Sequence, residues 1–554
     1  MPQWIYRSKY PEPNAATNQS VSQFLLKSNP DDVTADTTIW SDFDEPDHKM
    51  TFGGIREQAA LGAAGLREVL GVKEGDFVYI YASNSVNWAY LSHSVMWAGA
   101  VFSAINPLAS AHELIHYFSL SEPVVVATDA ALLPKVESAL SISPELKVKP
   151  KVILFGHGKR PNSKGYQLFP QDIVSTQRPA LSPFDLSSRD NREVPAGMCF
   201  SSGTSGRPKG VLLSHYSLIA YNLTGRATDP FLYNGFMREV FFPSFAHIYG
   251  LVIGMLMPAF FGSHVVAMPQ FDFVQYFQRC AEIRATCIRL VPSTAIRLAK
   301  DAKVSKLDLT SVQTMYCSGA SLPIEVAEKL QVRLKGCSIL NGYGMSEGTI
   351  TMLRSHHSTR KTGSVGKPAA GVEMRVVDDN YNDVEPGQRG EVLVKGPTMF
   401  MRYKNNPTET ATSFKDGWLC TGDVAIVDEE GFFWLTGRKK ELIKYKGYQV
   451  PPAELEEVLL SHPLVTDAGV CGVYNEEQAT EIPVGYVTFR SAVTRMSREG
   501  ILEEVRDYVD SRVAPYKKLR GGLFYLDEIP KGPTGKLLRL QLPAKVEERR
   551  KSKV

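Results

Sequence analysis

The segment 201–210 brings together side chains that are suited to holding phosphate groups. Its sequence, SSGTSGRPKG, contains three glycines and four hydroxyl residues, and Lys209 adds a positive charge. Backbone N–H groups and hydroxyls of such a loop can surround phosphate oxygens. It is not a Walker A loop, because G-x-x-x-x-G-K-[ST] occurs nowhere in the chain. Composition alone fits a flexible linker equally well, but a linker has no need of a lysine just before the apolar segment 211–213.

The segment 341–347, NGYGMSE, has the composition of a site for a flat ligand and a cation. Its two glycines let the backbone approach a ligand closely, Tyr343 offers a stacking face, and Glu347 can bind a metal ion. Taken alone, the motif fits equally well a turn from a strand into a helix that Ser346 caps.

Three later segments carry polar side chains in turn-like surroundings. Asp423 ends the segment 418–423 and can accept two hydrogen bonds from a ribose diol, although a simple turn explains the same pattern. Residues 438–447 hold five lysines and arginines, which by themselves indicate a solvated face. In 530–536, PKGPTGK, prolines and glycines favour a rigid loop that presents Lys536.

The elements that must position these motifs are apolar, strand-like runs that alternate with helix-like segments. This alternation predicts α/β layers with mostly parallel sheets. The predicted elements are a helix at 88–100 and strands at 77–82, 123–128, 152–155, 239–242, 264–267, 287–291 and 312–317. A smaller β-rich unit is predicted from 372–377 and 391–394. After 437–440 the pattern changes to that of a small α+β domain, with helices from Pro452 and around 501–509.

Length and composition describe an ordinary globular chain. The length of 554 residues predicts three or four folding units. The composition, 43% hydrophobic and 22% charged, is that of a globular chain. The net charge of +3 does not indicate a nucleic-acid binder. Seven cysteines without a C-x-x-C pair favour a reducing compartment over a disulfide framework or a zinc ribbon. The start of the chain, MPQWIYRSKYPEP, has no apolar core of a secretory signal.

The uncharged stretch 249–268 is long enough to be tested as a membrane span. Pro258, three glycines, Ser263 and His264 interrupt it. The pattern therefore predicts a buried helix followed by a buried strand.

Together and in this order, the motifs resemble those of the adenylate-forming superfamily of acyl-CoA synthetases, nonribosomal-peptide adenylation domains and luciferases. Within it, the chain looks most similar to the 4-coumarate–CoA ligase-like branch. The resemblance extends from about residue 30 to 545. The segments that carry it are 201–210, 245–249, 318–320, 341–347, 390–392, 421–423, 437–449 and 530–536.

The resemblance implies a fold and a reaction. The fold would be a large N-terminal domain, 1–436, of layered α/β subdomains with a β-rich subdomain, then a hinge at 437–440 and a small mobile α+β domain at 441–554. The reaction would be that of an acid–CoA ligase, which uses ATP, Mg²⁺ and CoA. An aromatic or medium-chain carboxylic acid would form an acyl-adenylate and pyrophosphate, and CoA would then take the acyl group and release AMP.

The resemblance also assigns roles to individual residues. Lys536, His247, Lys444 and Glu347 would be catalytic, with Glu347 binding Mg²⁺ and His247 gating the thiol tunnel. Lys536 would bridge the acid and the α-phosphate during adenylation. The C-terminal domain would then rotate about Lys440, withdraw Lys536 and bring the loop 444–447 to the thiol. The residues that would contact ATP or CoA are Ser201, Ser202, Gly203, Thr204, Ser205, Gly206, Lys209, Gly319, Ala320, Asn341, Gly342, Tyr343, Ser346, Asp423, Arg438, Lys440, Lys446 and Gly447. Tyr249, Ile253 and Ser318 would line the acid pocket.

The chain departs from the family pattern in ways that bear on the substrate. Ile253 stands where coumarate ligases have serine, which predicts a more apolar pocket. Gln270 stands where they have lysine, which removes a basic contact to CoA phosphate. The final Ser552-Lys553-Val554 nearly matches the peroxisomal S-K-L address, so a peroxisomal and a cytoplasmic location are both expected.

Three other functions share these motifs. A carrier-loading adenylation enzyme is one, although the chain has no carrier-like module after Lys536. A luciferase-like oxygenase is another, and the motifs cannot reject it. A catalytically dead nucleotide-binding protein is disfavoured by the presence of Lys536, Glu347 and Asp423.

Overall fold

A computed structural model describes most of the chain. The described residues are 4–142, 146, 149–156, 165–201, 208–290, 292–301, 303–317, 324–352, 360–445, 448–475, 478, 480–489, 498–513, 515–532 and 535–545.

Strands and helices alternate along these residues. The strands are β1 Tyr6–Arg7, β2 Thr38–Asp42, β3 Lys49–Thr51, β4 Phe77–Tyr81, β5 Val101–Ile105, β6 Val125–Thr128, β7 Lys151–Phe155, β8 Gln167–Phe169, β9 Pro195–Ser201, β10 Lys209–Ser214, β11 Arg238–Phe241, β12 His264–Ala267, β13 Cys287–Leu290, β14 Thr314–Cys317, β15 Ser338–Met345, β16 Gly348–Met352, β17 Lys367–Pro368, β18 Glu373–Val377, β19 Arg389–Lys395, β20 Arg402–Tyr403, β21 Phe414–Lys415, β22 Trp418–Val427, β23 Phe433–Arg438, β24 Ile443–Tyr445, β25 Tyr448–Val450, β26 Val465–Asn475, β27 Thr480–Phe489 and β28 Leu523–Tyr525. The α-helices are α1 Val21–Lys27, α2 Phe52–Glu68, α3 Val86–Trp97, α4 Ala111–Ser121, α5 Leu133–Ile142, α6 His215–Thr228, α7 Ile248–Gly250, α8 Met257–Phe261, α9 Phe273–Glu282, α10 Pro292–Lys300, α11 Ile324–Arg333, α12 Pro407–Thr412, α13 Pro452–Ser461 and α14 Arg498–Asp510. Leu251–Leu256 form a π-helix, and Val304–Lys306, Pro515–Lys517 and Arg539–Gln541 are short 3₁₀ turns.

The largest sheet has eight strands in the order β20-β10-β9-β5-β4-β6-β7-β8. Strands β4 to β9 within it pair in parallel. All five residues of β4 and of β5 are buried, as expected for strands covered on both faces. Strand β10 returns antiparallel to β9, with Lys209 opposite Ser201. The predicted phosphate loop is therefore the connection of this hairpin.

Two more parallel sheets complete the α/β layers. Strands β11, β12 and β2 pair in parallel, and β13, β14 and β15 do the same. Strand β16 then turns back antiparallel on β15. The prediction of layered, mostly parallel sheets is confirmed.

The β-rich unit is an antiparallel sheet in the order β1-β18-β19-β22-β21, with β23 also on β22. In the antiparallel pairing of β22 with β23, Asp423 lies opposite Arg438. Two predicted motifs, separate in sequence, thus lie side by side.

After residue 440 the chain forms sheets of its own, β24-β25 and β26-β27-β28. Helices α13 and α14 bury Leu455, Leu459, Ile501 and Val505 in an apolar cluster drawn only from residues after Leu442. The predicted α+β pattern is therefore present, while the domain limits 1–436, 437–440 and 441–554 stay a prediction.

The uncharged stretch 249–268 folds as the predicted buried helical segment followed by strand β12. Among the described residues, no helix has both the length and the apolar character that a membrane crossing needs.

Candidate active site

Asp423, Tyr343 and Arg438 form a polar trio where β15 meets the β-rich sheet. The Tyr343 hydroxyl donates to Oδ2 of Asp423 at 2.7 Å, and Nε of Arg438 lies 3.0 Å from Oδ1. Asp423 is only 7% exposed, and burial raises its pKa although the Arg438 charge opposes this. The trio offers an acceptor and a cation in one enclosed place, which suits a polar ligand such as a ribose.

Lys536 reaches this trio from the C-terminal part of the chain. A tight turn presents it, because Gly532 N–H donates to the Lys536 carbonyl at 2.8 Å and Gly535 has a φ of +76°. Burial lowers the pKa of Lys536, and the positive charge of Arg438 lowers it further. The negative charges of Asp423 and Glu441 raise it. Lys536 is therefore near enough to Asp423 and Arg438 for their charges to act on it, while its assigned role stays a prediction.

His247 lies close to the same lysine, at the start of α7. Its Nδ1 accepts the Tyr249 N–H at 3.3 Å, so the ring caps this short helix. The side chain is exposed to solvent. Nearby protein atoms, followed by the Lys536 charge, lower the pKa of His247 to about 4, which favours the neutral imidazole.

Glu347 and Lys209 belong to a second polar cluster beside the phosphate loop. The Tyr403 hydroxyl donates to Oε1 of Glu347 at 2.7 Å, and Lys209 Nζ lies 5.1 Å from the centroid of the Tyr403 ring. Lys209 also pairs with Glu409 on α12. Glu347 is 5% exposed, and burial raises its pKa. A cation beside Glu347 would offset that burial, so this carboxylate fits a Mg²⁺ ligand.

Asn341 and Gly342 fit a purine. The Oδ1 atom of Asn341 is buried and has no hydrogen-bond partner among the residues that the structure describes, so it can accept from an amino group such as that of adenine. A Cβ at Gly342 would come within 1.5 Å of the Tyr316 hydroxyl, so only glycine fits there. The Asn341 oxygen therefore suits a nucleotide beside β15, whereas packing against Tyr316 explains the glycine at 342.

Beside Tyr249, which the resemblance assigns to the acid pocket, lies a buried ion pair that sequence analysis missed. Arg289 on β13 pairs with Glu239 on β11, and both side chains are at most 1% exposed. Arg289 Nη1 donates to the Tyr249 hydroxyl at 3.0 Å, and the Tyr249 and Tyr316 rings stack at 6.0 Å. The signal in the sequence was a charged residue within each of two short apolar runs, Glu239 before Val240 and Phe241, and Arg289 between Ile288 and Leu290.

The remaining predicted residues are placed as follows. Ile253 is 6% exposed in the helical segment that follows Tyr249. Lys444 and Lys440 have exposed side chains, and the Lys444 backbone N–H donates to Glu481 at 2.7 Å. Ser346 lies in the turn of the β15–β16 hairpin, so the alternative of a strand-to-helix turn was wrong. Ser201 ends β9, and the following predicted residues lie outside the described part: Ser202, Gly203, Thr204, Ser205, Gly206, Ser318, Gly319, Ala320, Lys446 and Gly447.

Comparison with known proteins identifies the family of the chain. Residues 27–404 match the profile of the AMP-binding enzyme family, and residues 454–536 match that of the AMP-binding enzyme C-terminal domain. 4-Coumarate–CoA ligase-like 8 of Arabidopsis thaliana is 33% identical over 502 residues, which cover 90% of this chain and 88% of that protein. Peroxisomal OPC-8:0-CoA ligase 1 of the same plant is 33% identical over 481 residues, covering 85% and 84%.

A solved structure has the same fold. The anthranilate CoA ligase AuaEII, in complex with anthranoyl-AMP, superposes with a TM-score of 0.84 at 24% identity, covering 96% of this chain and 99% of that chain. At this identity the likeness shows the fold alone. Because the family profile covers more than half of the chain, the resemblance is confirmed: the protein belongs to the AMP-binding enzyme family, the adenylate-forming enzymes.

Proposed function

We propose that the protein is an ATP-dependent acid–CoA ligase of the AMP-forming type. The carboxylate of the acid attacks the α-phosphorus of ATP, and pyrophosphate leaves. The thiol of CoA then attacks the acyl carbon, loses its proton, and AMP leaves. The observation that carries this proposal is the buried trio of Tyr343, Asp423 and Arg438, whose charges also act on Lys536, because an adenylation step needs a cation beside its nucleotide site.

The described residues supply the charges for the first step. Lys536 stabilises the negative charge that develops between the acid and the α-phosphate, and Lys209 holds the outer phosphates. Asp423 and Arg438 hold the ribose, while Asn341 accepts from adenine. Bound at Glu347, Mg²⁺ would neutralise phosphate charge and orient the triphosphate.

The second step needs Lys536 to leave the cleft. We assign the pivot to 437–440, between β23 and the first sheet of the C-terminal part, because the described residues after Leu442 have a core of their own. Rotation there would bring the exposed Lys444 and its loop toward the thiol and would take Lys536 away from His247. The proposed domains are accordingly 1–436 and 441–554.

The side chains around Tyr249 support a mainly apolar substrate that carries one oxygen besides its carboxylate. Phe241, Ile253 and the stacked Tyr249 and Tyr316 rings suit an aromatic ring or a medium chain. Arg289 donates to the Tyr249 oxygen, so the Tyr249 proton is free to be donated. We therefore propose aromatic or medium-chain acids that carry a carbonyl, hydroxyl or ether oxygen. The peroxisomal designation of one relative supports a peroxisomal location over a cytoplasmic one.

The test is incubation of the purified protein with ATP, Mg²⁺ and a panel of acids from benzoate and cinnamates to fatty acids, with and without CoA. Formation of AMP and acyl-CoA is the expected result. Acyl-adenylate that accumulates despite CoA would identify a carrier protein as the acceptor. Oxygen uptake with light emission would identify a luciferase-like oxygenase, and ATP binding without pyrophosphate release would identify a dead enzyme.

A further inference from the structure

The helical segment beside the acid pocket has irregular hydrogen bonds. It starts with α7 after His247, continues as the π-helix Leu251–Leu256 and ends as α8. The Met257 N–H donates to the Val252 carbonyl, five residues back instead of four. The segment carries Tyr249 and Ile253, both assigned to the acid pocket, so its register decides where these side chains lie.

Pro258 explains the irregularity. In an α-helix the carbonyl of Gly254 would accept from the N–H of residue 258, but proline has none, and its ring crowds the carbonyl four residues back. The Gly254 carbonyl instead accepts the indole N–H of Trp40 at 2.8 Å. The next carbonyl, that of Met255, lies 3.4 Å from Nε2 of His93.

Trp40 stabilises this register from outside the helix. It lies on β2, is fully buried and is 214 residues away from Gly254 in the sequence. A buried carbonyl without a donor is costly, so the indole compensates for the donor that Pro258 lacks.

The register is also tied to the acid pocket by packing. A Cβ at Gly254 would come within 2.4 Å of Phe245 and 2.9 Å of Phe241. The Phe241 ring in turn stacks on Tyr249 with centroids 6.0 Å apart. A change of register between 251 and 256 would therefore move the residues that face the acid.

We infer that Pro258 and Trp40 are positioning residues, which fix the π-helical register of 251–256 and thereby determine which acids fit the pocket. Neither side chain is assigned a contact with the acid. The inference rests on the proposed function, because it takes the cleft beside Tyr249 as the acid pocket.

The test compares Pro258→Ala and Trp40→Phe with Trp97→Phe. The first variant supplies the missing N–H, and the second removes the indole donor. The control also removes a buried indole donor, but one that serves the Leu181 carbonyl and packs in an apolar cluster without residues of the segment 248–261. Acid selectivity is measured as the ratio of kcat/KM between the best acid and acids one or two methylenes longer or shorter, together with the KM for ATP and the Tm.

The first two variants are expected to change this ratio by about tenfold or more, the usual effect of a methylene-sized misfit, while the KM for ATP stays within about twofold. The control should keep the ratio of the unchanged protein. Equal changes in all three variants, following Tm, would show a merely structural role and overturn the inference, as would unchanged ratios in the first two.

A crystal structure of Pro258→Ala tests the register without any activity. The expected result is a hydrogen bond from the new residue 258 N–H to the Gly254 carbonyl. If Met257 still donates to Val252, proline does not set the register and the inference fails. Absence of AMP formation with every acid would instead refute the proposed function, so the two failures are distinguishable.

Discussion

Replacing Lys536 by alanine should separate the two half-reactions of the proposed ligase. In the structure this lysine approaches an Asp423 carboxylate that Arg438 already neutralises at 3.0 Å. Its positive charge is therefore available for the acid and the α-phosphate. Loss of one such preorganised group costs about 10²–10³-fold in kcat, or about 2.7–4 kcal/mol.

The assay follows each half-reaction by itself. Adenylation is measured as acid-dependent pyrophosphate exchange into ATP, and thioester formation is measured in a single turnover from supplied acyl-adenylate and CoA. Lys536→Ala should lower the first rate by the factor above and leave the second within about threefold, since the lysine has left the cleft by then. Lys531→Ala is the matched control, because Lys531 lies in the same segment but pairs with Asp467 at 2.5 Å.

The pH dependence gives an independent check on the same lysine. Burial lowers the pKa of Lys536, so its charge is present at low pH and is lost on alkalinisation earlier than for an ordinary lysine. The adenylation rate should therefore fall on the alkaline side of its pH profile. Lys536→Arg should move this alkaline limb to higher pH because guanidinium keeps its proton. Equal loss of both half-reactions in Lys536→Ala, or an alkaline limb that Lys536→Arg leaves in place, would refute the reasoning.

Three further predictions follow from buried ionisable side chains. Glu347→Gln should raise the Mg²⁺ concentration needed for half-maximal pyrophosphate formation at least tenfold, and an unchanged Mg²⁺ titration would contradict the assigned role. Arg289→Met should cost about 3–5 kcal/mol in unfolding free energy because Glu239 stays buried without a partner, and the added change Glu239→Leu should restore most of it in denaturant titrations. Burial lowers the pKa of His93 to about 4. His93 is neutral in the folded and the unfolded chain above pH 6.5, so its burial costs no unfolding free energy there. As the pH falls from about 6.5 toward 4, only the unfolded chain takes up the proton, and the unfolding free energy drops by up to about 3 kcal/mol. His93→Gln should therefore flatten the decline of Tm over that pH range.

Much of the fold could be predicted because its strands are nearly continuous apolar runs. Those at 77–82 and 264–267 became β4 and β12 with ends within one residue. The hairpin after Gly344 could not be predicted, because a glycine-rich turn permits a strand or a helix to follow and pairing with β16 decided the outcome.

The polar partners of the site were less accessible to sequence reasoning. Tyr403 and Glu409 lie close to Lys209 only because β20 pairs with β10. Neither residue belongs to a motif that indicates a phosphate or metal site, so their local sequence did not predict this role.

The sequence by itself determined the family, the order of the motifs and the residue types available for adenylation, since these depend on local spacing. The tertiary structure alone decided which charges meet. Glu239 and Arg289 are 50 residues apart and pair because β11 and β13 lie close together. Trp40 donates to the Gly254 carbonyl across 214 residues because β2 packs beside the helical segment that carries Gly254. A buried polar group must find a partner, but the partner is set by packing and not by distance along the chain.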